Sequence, residues 1–81
     1  FMGNTAFSLR FQKFLTKLKA ARLEANLTQV QVASRLGVPQ SFVSKCESGE
    51  RRIDIIELLD FAEMYEKPLF YFVDLEPHPE V

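Results

Sequence analysis

The sequence has no tryptophan, one cysteine, one histidine and three glycines in 81 residues. Because Cys46 has no second cysteine to pair with, an internal disulfide is excluded and a reducing compartment is favoured. One cysteine and one histidine, His78, also supply no zinc-ligand spacing, so neither a metal nor another cofactor is expected. The residues Gly3, Gly37 and Gly49 stand apart from one another, which excludes a glycine-rich phosphate-binding loop.

Long apolar runs are also missing. No segment approaches the roughly 18 apolar residues that a membrane span needs, and the start of the chain lacks the pattern of a secretory signal. His78 lies between two prolines, far in sequence from Cys46, so the chain offers no pair of nucleophile and base for catalysis. We therefore expect a cytoplasmic protein that is neither membrane-bound nor an enzyme.

Apolar residues are nevertheless plentiful, at 47% against 26% charged, which is enough for a folded core. A chain of this length forms one domain and buries roughly 60% of its unfolded surface, so a homodimer is expected. Since Phe1 precedes Met2, we interpret residues 1–7 as an N-terminal extension or cloning remnant. Residues 8–73 are the predicted domain, and residues 74–81 are predicted to be a flexible acidic tail.

One sign of charge is scarce in each half of the chain. Residues 1–52 hold nine Lys and Arg against three acidic residues, for a formal charge of +6, whereas residues 53–81 hold Lys67 alone against eight acidic residues, for −7. Such segregation is expected when one face of a protein meets an anion. Accidental segregation on a solvated surface explains the same pattern, so charge alone leaves both interpretations open.

Apolar residues at three- and four-residue steps predict a first helix over about residues 8–25. Asn26 is expected to end it in the left-handed conformation. Thr28 is predicted to open a second helix as its N-cap, with Gln31 completing a capping box, and Gly37 to close it.

A short third helix is predicted to begin at Pro39 or Gln40, with Val43 and Cys46 turned inward, and to end at Gly49. Before the fourth helix, Asp54 and Glu57 form a second capping box. The predicted inner face of that helix carries Ile55, Leu58, Ala62 and Tyr65. The apolar segment 69–73 is either a short fifth helix or a strand, because periodicity alone does not decide between them.

The second and third helices are short, are joined by a turn that begins with glycine, and precede a basic loop, which is the helix-turn-helix arrangement. Residues 27–52, LTQVQVASRLGVPQSFVSKCESGERR, closely resemble the helix-turn-helix core of the phage repressor and Cro (XRE) family of bacterial transcriptional regulators. The resemblance covers about residues 18–69. It implies an all-α, five-helix, lambda-repressor-like domain that binds operator DNA as a two-fold dimer.

The resemblance places four residues on the outer face of the third helix, where family members read base edges: Gln40, Ser41, Ser44 and Lys45. Helical spacing agrees, because these positions lie opposite the inward pair named above. The chemistry agrees as well, since Gln pairs bidentately with adenine, Lys donates to guanine, and Ser donates or accepts. An ordinary polar face is the alternative interpretation.

By the same resemblance, phosphate contacts are expected from five residues: Thr28 and Gln29 at the start of the second helix, and Ser48, Arg51 and Arg52 after the third. Unpaired amides and the helix dipole favour an anion at a helix N-terminus. Capping alone is the alternative role for Thr28, and a solvated charge cluster is the alternative for the arginines.

Three residues depart from the family pattern. Glu50 stands where a basic residue is usual, which shifts the expected phosphate contact to the two arginines. Pro39 replaces a capping Ser or Thr. Phe42 is large for its position, and packing against the first helix is favoured over contact with a thymine methyl.

Arg22 lies on the inward stripe of the first helix, where a charge needs a partner. Family members place such an arginine against the glutamate that ends the third helix. The resemblance therefore implies a structural salt bridge between Arg22 and Glu47.

Taken as a whole, the resemblance implies a transcriptional regulator that binds double-stranded DNA as a homodimer on a palindromic operator, with repression favoured and no small-molecule effector indicated. The alternative is a protein-interaction module of the same fold, such as an antitoxin or an oligomerisation domain. Four apolar residues are predicted to form the dimer interface: Leu69, Phe70, Tyr71 and Phe72. Their alternative role is to close the domain's own core.

Overall fold

The computed structural model describes residues 8–73, and every regular element in that range is helical. Four α-helices follow one another: Leu9–Glu24 (α1), Gln29–Leu36 (α2), Gln40–Ser48 (α3) and Ile55–Tyr65 (α4). The 3₁₀ helix Leu69–Tyr71 comes last. The interpretations of residues 1–7 as an extension and of 74–81 as a tail lie outside the described residues.

The predicted all-α class is confirmed, but the prediction of five helices was slightly wrong. The segment after Pro68 forms only one 3₁₀ turn, in which the Tyr71 N–H donates to the Pro68 carbonyl at 3.0 Å and the Phe72 N–H donates to Leu69 at 3.1 Å. Three residues are too few for a run of α-helical hydrogen bonds, and poorer 3₁₀ geometry keeps such turns short.

Two helices begin with a capping box, as their sequences predict. At α2 the Thr28 hydroxyl accepts from the Gln31 N–H at 3.1 Å, and the Gln31 side chain accepts from the Thr28 N–H at 2.8 Å. At α4, Asp54 and Glu57 make the equivalent pair at 2.7 and 3.0 Å. These bonds satisfy N–H groups that have no acceptor within the helix. Pro39, by contrast, precedes α3 without a side-chain cap.

Gly49 ends α3 and brings it against α1. Its φ of +86° lies in the left-handed region, where a side chain is strained. A Cβ at this position would lie 3.0 Å from a side-chain carbon of Leu15 and 3.2 Å from the ring of Phe11. Glycine is therefore required here both by the backbone conformation and by the close approach of α1.

Side chains from all four α-helices meet in one core. Its largest fully buried members are Leu18, Val32, Val43, Cys46, Phe61 and Phe72. Burial raises the pKa of the Cys46 thiol, which favours its protonated form. The prediction that Ile55 lies on the inner face of α4 was wrong, because Ile55 is the first residue of the helix and is 56% exposed. Phe61 supplies the inward aromatic ring instead.

Of the four residues predicted for the dimer interface, Phe72 belongs to the domain's own core, and Leu69 and Tyr71 are partly buried against it. Because side chains at i and i+3 eclipse in a 3₁₀ helix, Leu69 and Phe72 lie on the same side, and Phe72 is only 1% exposed. Phe72 is thus unavailable to a partner, which corrects its assignment. Tyr71 also packs against the core, whereas Phe70 remains 70% exposed.

Tyr71 is held by charged side chains. The ammonium groups of Lys17 and Lys67 lie 4.8 and 4.6 Å from the centre of its ring, and Lys67 pairs with Glu24 at 2.6 Å. These contacts join α1 to the C-terminal 3₁₀ turn. Within residues 8–73, no helix is both long enough and apolar enough to cross a membrane.

Replacing Asp54 by alanine removes the side-chain acceptor at the start of α4 and should lower the free energy of unfolding by about 1 kcal/mol, as measured by urea unfolding. The matched control is Asp60→Ala, which removes a carboxylate from the exposed face of the same helix. That control should change stability by less than about 0.5 kcal/mol. Equal losses in the two variants would contradict the capping role.

Candidate nucleic-acid interface

The second helix of the α2–turn–α3 unit has one buried face and one open face. Val43 and Cys46 are completely buried and attach α3 to the core. On the other side, the structure places the four residues predicted to read bases, of which Gln40, Ser41 and Lys45 are exposed and Ser44 is half-buried. The side chains at these positions are accessible without disturbing the core.

A buried ion pair joins α1 to the end of α3. The Arg22 Nε donates to Glu47 Oε2 at 2.6 Å, and Arg22 Nη2 donates to Glu47 Oε1 at 3.1 Å. Arg22 Nη1 donates to the Leu27 carbonyl at 2.9 Å, so the same guanidinium also holds the turn before α2. The side chains of the pair are only 9% and 6% exposed. Hydrogen bonding to Glu47 raises the pKa of Arg22 above its ordinary value.

Two glutamines extend this ion pair to the surface. Gln29 is the first residue of α2 and Gln40 is the first residue of α3. The Gln29 Nε2 donates to Glu47 Oε1 at 3.0 Å, and the Gln40 Nε2 donates to Gln29 Oε1 at 2.7 Å. The sequence predicts a phosphate role for Gln29 and a base-reading role for Gln40, but it does not predict their contact.

The charge of Glu47 decides which way these amides point. A carboxylate only accepts hydrogen bonds, so Gln29 must turn its NH₂ group toward Glu47 and its oxygen toward Gln40. Gln40 then uses one N–H for Gln29 and keeps its second N–H and its carbonyl oxygen. A donor and an acceptor side by side match the N7 and N6 edge of adenine in the major groove.

The start of α2 retains part of its capacity to bind an anion. The Thr28 N–H is taken by Gln31 and the Gln31 N–H by Thr28, but the Gln29 and Val30 amides of the first helical turn have no acceptor within the helix. At the last residue of α3, the Ser48 hydroxyl lies 3.2 Å from the Lys45 carbonyl and 3.3 Å from a carboxylate oxygen of Glu50. The helix dipole therefore favours an anion at α2, while Glu50 makes the surroundings of Ser48 less favourable for one.

The two arginines of the α3–α4 loop have different surroundings. Arg52 lies over the ring of Phe11, with 4.6 Å between the guanidinium carbon and the ring centre. Arg51 makes a two-point ion pair with Glu57 at 2.9 Å. Hydrogen bonds from Arg51, and next from the Asp54 N–H, lower the pKa of the Glu57 carboxyl below its usual range.

Phe42 faces a groove that residues of α2 and α4 also line. Its ring lines an open groove of about 170 Å³ together with Leu36, Val38, Glu57, Asp60 and Phe61. The guanidinium of Arg51 covers the ring at 4.4 Å. Packing against the domain was expected from the sequence, and Phe42 is half-buried against the core; its packing against the first helix stays a prediction.

The elements of the domain differ in the sign of their charge. The helix α4 carries Glu57, Asp60 and Glu63 and no Lys or Arg, whereas the outer face of α3 carries Lys45 and is followed by the two loop arginines. Among residues 8–73, no cluster of three or more His, Cys, Asp or Glu side chains is arranged to hold a metal ion.

A helical domain in which a short capped helix and a glycine turn lead to a second helix with a polar outer face defines the helix-turn-helix class. A helix-turn-helix family profile matches residues 18–72. A solved "XRE-family like protein from Pseudomonas syringae pv. tomato str. DC3000" is similar with 45% identity and a TM-score of 0.71, over 79% of this chain and 80% of that one. No match was found among curated proteins. The chain belongs to the XRE family of DNA-binding, helix-turn-helix transcriptional regulators.

Replacing Arg22 by alanine should lower the free energy of unfolding by about 3 to 5 kcal/mol, because Glu47 would keep its buried charge without its main partner. Chemical denaturation measures this loss. Arg35→Ala is the matched control, since Arg35 is an exposed arginine of α2 and should change stability by less than about 0.5 kcal/mol. An Arg22→Ala variant as stable as this control would contradict the structural role of the ion pair.

Proposed function

We propose that the protein is a repressor that binds a palindromic operator as a homodimer and places α3 of each protomer in the major groove. The observation that carries the proposal is the set of hydrogen bonds from Glu47 through Gln29 to Gln40. It leaves the Gln40 amide with one donor and one acceptor at the exposed start of α3. An amide oriented in advance loses less rotational freedom on pairing with a base.

Gln40, Ser41, Ser44 and Lys45 are the proposed base-reading residues. Gln40 pairs with adenine, and Lys45 donates to the O6 and N7 edge of guanine. The two serines adapt as donor or acceptor to the bases between them. The exposure of Gln40, Ser41 and Lys45 on α3 supports this assignment; Ser44 is half-buried.

Contacts to the DNA backbone are proposed on both sides of α3. Thr28 and Gln29 present the N-terminus of α2 to one phosphate, and Ser48, the last residue of α3, and Arg52 in the loop after it contact the adjacent phosphates. These contacts set the position of the domain on the duplex and carry no sequence information themselves.

A homodimer on DNA places equivalent α3 helices about 34 Å apart, one turn of the duplex. Bound there, it represses transcription by blocking polymerase. The proposal includes a cytoplasmic location and involves no small-molecule effector. Of the apolar residues predicted for the dimer interface, Phe70 is the one that is largely exposed.

A protein-interaction module of the same fold is the second candidate. The observation that favours it is an exposed apolar group on α4, where Ile55, Ile56 and Leu59 are 56%, 63% and 45% exposed. Single exposed apolar residues are ordinary, but neighbours on one helix are typical of a protein contact. A protein that only uses this surface would not need the oriented amide of Gln40.

Salt dependence distinguishes the two candidates. About six to eight phosphate contacts per dimer should give a log-log slope of affinity against salt near −5 to −7. Fluorescence anisotropy with operator sequences selected from random duplex DNA measures it. A flat response to salt would favour the interaction module and contradict DNA binding.

Lys45→Glu should abolish specific binding without unfolding the domain, because the side chain is exposed and a carboxylate cannot donate to guanine. Lys19→Glu makes the same charge change on the exposed surface of α1 and should retain operator discrimination. Anisotropy titrations against operator and scrambled duplexes compare the two variants, with thermal unfolding as the check on folding. Normal discrimination by Lys45→Glu would remove the assignment of α3.

A further inference from the structure

We infer that Arg51 is a positioning residue that holds α3 and the loop after it against α4, and that it does not neutralise a DNA phosphate itself. The inference rests on the proposed DNA-binding function and deepens it. The resemblance groups Arg51 with Arg52 as phosphate contacts, but the structure gives the two guanidinium groups different partners.

The Arg51 guanidinium is already paired with an anion. Its Nη1 and Nη2 donate to the two carboxylate oxygens of Glu57, both at 2.9 Å. Nη1 also donates to the Arg52 carbonyl at 2.8 Å. A phosphate that approached Arg51 would meet a guanidinium whose charge is balanced by a carboxylate at hydrogen-bonding distance, so the net attraction would be small.

The same side chain connects three parts of the domain. Its planar face lies 4.4 Å from the centre of the Phe42 ring, which belongs to α3, and its carboxylate partner belongs to the first turn of α4. The backbone N–H of Arg51 also donates to the Lys45 carbonyl at 3.2 Å, near the end of α3. A rigid, planar cation thus fixes the reading helix, the loop and α4 relative to one another.

This arrangement also sets the position of the neighbouring arginine. The Arg52 carbonyl is held by Arg51, while the Arg52 side chain lies over Phe11 of α1. Arg52 is therefore held both at its backbone carbonyl and at its side chain. In this view Arg52 contacts phosphate and Arg51 determines where that contact is made.

The two roles predict opposite effects when Arg51 is released from Glu57. Glu57→Gln removes the charge, and glutamine at this position still completes the capping box with Asp54. If Arg51 were a phosphate contact, its release would raise affinity for DNA and steepen the salt slope. As a positioning residue, it would lose its anchor, and discrimination of operator from scrambled DNA would fall.

The experiment measures operator and scrambled-duplex affinity at several salt concentrations for the whole chain and three variants. Glu57→Gln and Arg51→Met should each lower the ratio of operator to scrambled affinity about tenfold, the size of one lost discriminating contact, with an unchanged salt slope. The matched control, Arg52→Met, should weaken both affinities alike and reduce the slope by about 1 for each protomer.

Higher operator affinity in Glu57→Gln, or a reduced slope in Arg51→Met equal to that of Arg52→Met, would overturn the inference. An unchanged ratio in Glu57→Gln and Arg51→Met would overturn it as well. Amide NMR spectra of the free protein provide a second readout, in which Arg51→Met should shift signals from Gln40 to Lys45 while Arg52→Met leaves them in place. If the wild type binds no DNA, the proposed function fails, whereas unshifted α3 signals in Arg51→Met overturn the positioning role alone.

Discussion

Taking two charges out of water costs several kcal/mol for each ion, and the pair of Arg22 and Glu47 is tolerated inside the domain because its polar atoms find partners. The guanidinium reaches both carboxylate oxygens and the Leu27 carbonyl. Replacing a buried ion pair by apolar residues of similar volume is often neutral or stabilising. The importance of this ion pair therefore lies in the geometry that it imposes on the domain. It fixes the distance from α1 to α3, and its carboxylate orients Gln29 and thereby Gln40.

Helix boundaries were predictable because they depend on neighbours in sequence. A capping box needs only a short polar residue and a Gln or Glu three positions later, and both predicted boxes are present. The segment 69–73 and Ile55 were harder, because an apolar residue is compatible with the core or with the surface. Phe72 is buried and Ile55 is exposed for reasons of tertiary packing, which periodicity over one short segment does not contain.

In the candidate site, too, features within one helix were predictable and contacts between elements were not. The family resemblance, in agreement with helical spacing, was sufficient to expect Gln40, Ser41, Ser44 and Lys45 on the outer face of α3, where Ser44 is half-buried and the other three are exposed. The contacts of Gln29 with Glu47 and of Arg51 with Glu57 join residues in different elements, so spacing within one helix could not predict them. Arg51 and Arg52 are the same residue type at adjacent positions, so the local sequence does not show that their contacts differ.

Gln40 is hydrogen-bonded through Gln29 to the buried ion pair, so the residues on the open face of α3 differ in how freely they can be substituted. Ser41 and Lys45 are exposed and can be exchanged without disturbing the interior. Gln40 shares its amide with Gln29 and, through it, with Glu47. A change there would break the hydrogen bond to Gln29 and require a compensating change on α2, so this position is more constrained than Ser41 or Lys45.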